Sequence, residues 1–194
     1  MNTIRDASMD DAQSILDIYA PFILHSRTSF ESDVPSLTDF QQRMADTQHT
    51  HPWLVYEADG QIGGYAYAGL HRKRYAYQWS TEVSVYLHDD FRGKGLAKAL
   101  YDSLFACLRL QGFFTAFAGI TMPNDPSERF HKKYGFQEIG RYRNVGYKMG
   151  VWADTLWLSM PLRDEYGTPS ELSLPASLQG SKDWQNALST GLRD

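Results

Sequence analysis

A single cysteine among 194 residues, Cys107, closes no intrachain disulfide, and with no Cys/His cluster around it there is no zinc or iron–sulfur spacing and no metal is expected. The chain has no excess of basic residues either. Lys and Arg total 19 against 23 Asp and Glu, a formal net charge of -4, so a protein built for nucleic acid is not expected. No run approaches about 18 consecutive apolar residues, and the start MNTIRDASMDDAQ carries Asp6, Asp10 and Asp11 where a signal peptide needs basic and then apolar residues. The expectation is a cytoplasmic protein that binds no membrane. Disorder throughout is excluded by the aromatic content of 14%.

The residues that are present alternate between strand and helix periods. Residues 2 to 6 read as a strand, Ser8 with Asp11 as a helix start, and Ala12, Ile15, Leu16, Ile18, Tyr19, Phe22 and Ile23 as one apolar helical face. A second helix is expected after Ser36, with Leu37, Phe40 and Met44 aligned. WLVYE and IGGYAYAGL around Ala58-Asp59-Gly60-Gln61 form a hairpin signal. In WSTEVSVYL, Trp79, Thr81, Val83, Val85 and Leu87 alternate with Ser80, Glu82, Ser84 and Tyr86, which gives the strand two different faces. A helix with Leu96, Leu100, Leu104, Cys107 and Leu108 on one stripe follows, making Cys107 a core filler. Then come a strand FFTAFAGI, a short helix PSERFHKKYGF stopped by Gly135, and closing strands FQEIGRYR and TLWLSMPL. Residues 1–162 therefore read as one α/β domain, and 163–194 as an extension that either packs on the domain or a partner subunit or is disordered.

The segment Arg92-Gly93-Lys94-Gly95-Leu96-Ala97, between a strand and a helix, is the strongest chemical signal. Two glycines permit a tight turn whose N–H groups converge with the following helix N-terminus, a geometry suited to phosphate oxygens. Neither a Walker loop nor a complete dinucleotide fingerprint is present, and a magnesium-dependent nucleotide hydrolase is not expected. Taken alone, the glycine pair could equally be a simple turn.

Arg92, Gly95 and Ala97, followed by a strand, Asn124 and the helix ending HKKYGF, resemble the GNAT superfamily of acetyl-coenzyme A-dependent N-acetyltransferases, with alanine in place of the more usual last glycine of the loop. YAPFILHSRTSFE, WLVYEADGQIGGYAYAG, YQWSTEVSVYLHDDFRGKG and NVGYKMGVWADTLWL resemble the phosphinothricin and methionine sulfoximine N-acetyltransferase subgroup. The resemblance spans residues 2 to about 162. It implies a mixed, mostly antiparallel sheet of seven strands with about four helices, splayed open between the Glu82 strand and the 113–120 strand, with acetyl-CoA in the split and a homodimer as the assembly.

It further implies that Arg92, Gly93, Lys94, Gly95, Leu96 and Ala97 hold the pyrophosphate, and that the backbone of Val83, Ser84 and Val85 pairs with the pantetheine arm. Asn124 either touches that arm or is a turn residue before Pro126. Glu82 matches the subgroup's catalytic glutamate, a carboxylate that takes the proton an ammonium must lose before attack; on alternation alone it could be a solvent-facing residue. His131 stands where relatives carry a tyrosine that protonates the departing thiolate, and is either that acid, a second base or a surface residue. Arg72, Lys73, Arg74 and Tyr75, after His71, form a cluster fit to pair with a substrate carboxylate or phosphinate, or else a solvated charge run. Phe30 and Glu31 are candidates for closing the acceptor pocket. The expected reaction is direct acetyl transfer to the α-amine of a small amino acid or analogue. A polyamine, aminoglycoside or protein amine as acceptor, or a non-catalytic acyl-CoA module, are the alternatives.

Overall fold

Strand formation follows the period-two segments. In a computed structural model that describes residues 2–193, seven strands form one sheet in the order β1-β2-β3-β4-β5-β7-β6. They are β1 (Asn2–Asp6), β2 (Trp53–Ala58), β3 (Gln61–Leu70), β4 (Ser80–Leu87), β5 (Thr115–Thr121), β6 (Gln137–Lys148) and β7 (Val151–Pro161). Every neighbouring pair is antiparallel except β4 with β5. The β2–β3 turn is built on Asp59 and Gly60, both at positive φ (49° and 81°), the geometry of a tight two-residue hairpin.

Alternation distributes the core over both faces. Leu54, Ala66, Ala68, Val83, Ala116, Ala118, Ile120 and Leu158 pack under α3 (Leu96–Gln111), whose Leu100, Leu104 and Leu108 are fully buried. On the other face, Trp53, Val55 and Tyr65 meet α1 (Ala12–Leu24) and α2 (Leu37–Gln48) through Ile15, Ile18, Phe40 and Met44. Ser36 caps α2 by accepting from Asp39 N–H, while Asp11 accepts from the backbone N–H of Ser8 at 2.7 Å. Cys107 lies in the α3 core, where burial pushes its thiol up, away from the reactive thiolate. The fourth helix, α4 (Asp125–Tyr134), ends at Gly135, with φ at 122°.

β4 and β5 pair only from Ser80 to Glu82, against Thr115 to Phe117. Beyond Glu82 the two strands part, and the facing edge of β4 has no strand partner there. This is the split that the resemblance implies. Where the sequence suggests two separate short strands at 136–143 and 155–162, β6 and β7 instead run on through residues 144–154 to a turn at Met149 and Gly150, both at positive φ. Gly146 and Asn144 interrupt the apolar period in that stretch, which is why the pattern stops short of the real strands.

Residues 163–193 lie back against the domain, first beside the start of β5 and then beside α3. Trp79 Nε1 donates to Ser170 O at 2.7 Å, and the Gln111 side chain and backbone exchange bonds with Ser173. Two further helices, α5 (Pro175–Leu178) and α6 (Lys182–Leu188), follow, beyond the four of the domain. Trp184 is fully buried and donates to Asp6 Oδ2 at 2.9 Å. Ser103 in α3 donates to Leu188 O and accepts from Gly191 N–H, so the chain end returns to the front of the same helix. Met1 and Asp194, the outer limits of the two expected segments, lie outside the described residues. No helix of the described residues is long and apolar enough to cross a membrane.

Candidate active site

The glycine loop is a main-chain device. Gly93 and Gly95 adopt φ of 76° and 81°, and a Cβ on either would meet open space, so conformation rather than crowding demands glycine. Gly95 is the N-cap of α3, and the first N–H groups of a helix lack intrahelical acceptors. These open amides, with the positive end of the α3 dipole, fit a diphosphate. Arg92 is held at 2.7 Å from Asp89 and lies over Phe22, while the Lys94 ammonium sits 5.2 Å from the Phe91 ring centroid. Gly93, Gly95, Leu96 and Ala97 line a groove of about 790 Å³ that continues past Lys98, Lys133 and Tyr134.

The split between β4 and β5 holds a second, narrow cleft of about 60 Å³. Val83, Ser84 and Val85 line one side, Ala118 to Thr121 the other, with Asn124 and His131 at its end. Asn124 caps α4, its Oδ1 accepting from Ser127 N–H at 3.3 Å, so the turn role is real and its amide nitrogen remains available to the cleft. His131 is 5% exposed, which removes the surface alternative. Its Nδ1 lies 2.8 Å from Ser127 O and therefore carries the hydrogen, which leaves Nε2 to accept from Tyr101 Oη at 3.0 Å. Burial lowers its pKa against the opposing Ser127 bond, so the ring is neutral near pH 7.

Glu82 is where the two strands separate, on the sheet face opposite α3. Its side chain is 36% exposed. Burial raises its pKa, opposed by the hydrogen bond from His71 and by the charge of Arg72. His71 Nδ1 approaches Glu82 Oε1 to 3.0 Å, and Arg72 Nη1 reaches the same oxygen at 3.5 Å. The His71 ring lies flat on Phe117, with centroids 4.2 Å apart and planes 9° apart, and the Arg72 guanidinium sits 5.7 Å from the Trp157 ring. Tyr142 and Trp157 extend this aromatic wall, and the Trp157 indole N–H has no acceptor among the described residues. A carboxylate of raised basicity thus faces a partly open bowl of rings with one cation.

The structure divides the expected acceptor residues. Arg72, Lys73, Arg74 and Tyr75 are all exposed, but only Arg72 reaches Glu82 and Trp157; Arg74 begins a short turn and Tyr75 rests on Trp79. Phe30 lies over Gly146 of β6, where an added Cβ would displace the Phe30 ring. Glu31 is committed elsewhere, accepting from Arg43 at 2.7 Å and from Tyr19 Oη at 2.9 Å. Sequence reasoning missed His71 as the partner of Glu82, and Phe117 and Trp157 as the wall. The signal was available in strand parity, since Phe117 pairs with Glu82 across β4–β5 and Trp157 with Gly119 across β5–β7.

A sequence profile described as the acetyltransferase (GNAT) domain matches residues 4–157. Phosphinothricin N-acetyltransferase of Streptomyces viridochromogenes is 36% identical over 151 residues, 78% of this chain and 82% of that protein. L-methionine sulfoximine/L-methionine sulfone acetyltransferase of Pseudomonas aeruginosa is 33% identical over 170 residues, covering 86% of this chain and 98% of its own. A crystal structure of a phosphinothricin acetyltransferase from Sinorhizobium meliloti in complex with acetyl-CoA superposes with a TM-score of 0.84 at 33% identity, covering 93% of this chain and 99% of that one.

Proposed function

The chain belongs to the GNAT acetyltransferase family and is an N-acetyltransferase that uses acetyl-CoA, and we propose that its acceptor is the α-amine of a small amino acid or analogue of the phosphinothricin or methionine sulfoximine and sulfone type. The observation that carries this reading is Glu82. It is a half-buried carboxylate with raised pKa on the last residue of β4 that pairs with β5 before the strands part, with Arg72 Nη1 3.5 Å from its Oε1.

In this reading the amides of residues 93–97 and the front of α3 hold the pyrophosphate, and the unpaired edge of Val83, Ser84 and Val85 takes the pantetheine arm into the cleft. Asn124 contributes its amide from beyond the end of β5. Arg72 pairs with the acceptor's carboxylate or phosphinate, which draws the cation away from Glu82 and leaves that carboxylate more basic. Glu82 accepts the ammonium proton, directly or through water, and the free amine attacks the thioester. Holding the two reactants together supplies much of the rate, and no covalent enzyme intermediate is needed. His131 is assigned to the departing thiolate. Because its resting ring is neutral with both nitrogens engaged, it must first take up a proton and release Tyr101 to serve as that acid.

The β6–β7 hairpin exposes Ile139, Tyr142, Val145, Tyr147, Met149, Val151 and Trp152, each at least 47% accessible, an apolar surface of a kind that a second copy of the chain covers. The proposed assembly is a homodimer, working in the cytoplasm on a small molecule.

The test is a thiol-release assay with acetyl-CoA across amino acids, their phosphinate and sulfoximine analogues, polyamines and aminoglycosides. Turnover confined to carboxylate-bearing α-amines is expected. Turnover of polycations alone would overturn the acceptor assignment.

A further inference from the structure

We propose that Thr190, in the C-terminal extension, is a wall of the coenzyme site and contacts the nucleotide end of the bound acetyl-CoA. The inference rests on the reading of the groove as that site. The pyrophosphate anchors at Gly93 and Gly95, and the pantetheine arm runs from there into the cleft between β4 and β5, which no residue of the extension lines. The outer groove past the loop is then left for the phosphorylated nucleoside. Thr190 lines the same groove as Gly93, Gly95, Lys98 and Lys133.

The placement is built. Gly191 passes so close to the carbonyl of Ala99, in the first turn of α3, that no Cβ fits between them. Gly191 N–H donates to Ser103 Oγ at 3.1 Å, and Ser103 donates to Leu188 O at 2.7 Å, so α3 holds the residues on both sides of Thr190. Fully buried Trp184 fastens the preceding turn to β1. Thr190 itself stays partly exposed, donating to Asn186 O at 3.0 Å with its oxygen lone pairs available to a ligand. Thr190 and the residues that flank it lie beyond residue 157, where the family match ends.

The test reverses the sign of charge at this one position in the full-length chain. Acetyl-CoA and S-acetylpantetheine, which lacks the nucleotide, serve as donors at low salt. The ratio of their KM values should rise about three- to tenfold in Thr190→Glu and fall in Thr190→Lys, because the phosphates are anionic. An unchanged ratio in both variants overturns the proposal. So does an equal rise in both, which marks a structural disturbance. A wild-type chain that binds no acetyl-CoA by calorimetry overturns the coenzyme reading and this proposal with it, whereas a wild-type chain that binds while the ratio stays flat removes Thr190 alone.

Discussion

His71 Nδ1 stands 3.0 Å from Glu82 Oε1 while its ring lies flat on Phe117, so the residue that opens the loop after β3 fixes the carboxylate of β4 against a side chain of β5. A loop imidazole, a β4 carboxylate and a β5 ring therefore meet at the place where the sheet parts.

Replacing Glu82 by glutamine retains shape and polarity and removes the base. kcat at pH 7 is expected to fall about a hundred- to ten-thousandfold while acetyl-CoA still binds by calorimetry. Alkaline buffer supplies free amine and should restore part of the rate. A near-normal kcat at saturation, with acyl transfer rate-limiting, would remove Glu82 from the mechanism.

His71→Phe keeps the stack on Phe117 and deletes the hydrogen bond that holds the Glu82 pKa down. The acid limb of kcat/KM against pH should move to higher pH, because Glu82 then stays protonated further up the scale. A limb that stays in place would show that another group governs it.

Arg72 and Arg74 separate cleanly. Only Arg72 faces Glu82 and Trp157, so Arg72→Ala should raise KM about ten- to a hundredfold for carboxylate-bearing amines, with little change for uncharged amines of similar shape. Arg74→Ala should change neither by more than about twofold. Equal effects of the two substitutions would contradict the geometry.

Gly95→Val places a β-branched residue at a φ of 81°, and adds a side chain where the pyrophosphate approaches. Calorimetry should show acetyl-CoA affinity lost in a chain whose circular dichroism remains native. Retained affinity in the folded variant would remove the loop from the coenzyme site.

Asp6 accepts from buried Trp184, and burial raises its pKa above that of an exposed aspartate. A raised folded-state pKa means that the group favours the native state when protonated, and that this contribution is lost as pH rises through the folded value. Asp6→Asn keeps an acceptor for Trp184 without the charge. Its Tm should exceed that of the wild type at pH 7, and the difference should shrink below about pH 3.5, where both states of the wild type hold the proton.

Much of this architecture is legible along the chain because strand parity and helix period are local. The two faces of β4, the stripe of α3 and the cap at Ser36 all follow from neighbouring residues. Glu82 and the glycine loop are legible for the same reason, being set by a strand and a turn. The bowl is not, since Phe117, Trp157 and His71 lie far apart in sequence and meet only through pairing across β4, β5 and β7. Glu31 shows the same limit, since the segment that carries it and Phe30 gives no sign that Arg43 from α2 pairs with its carboxylate. The course of residues 163–193 is not legible because their anchors, Trp184 and Ser173, are spaced without any period.

The proposed anchors of the coenzyme are main chain, in the turn at Gly93 and Gly95 and the unpaired margin of β4, whereas the surroundings of Glu82 are side chains. Amides are indifferent to what is attached to the neighbouring Cα, so drift at Lys94, Ser84 or Val85 leaves the donor in place. A single exchange at Arg72 or Trp157 alters which amine is welcome. One half of the reaction is thereby insulated from mutation and the other exposed to it, so selection can retune the acceptor without having to rediscover the donor.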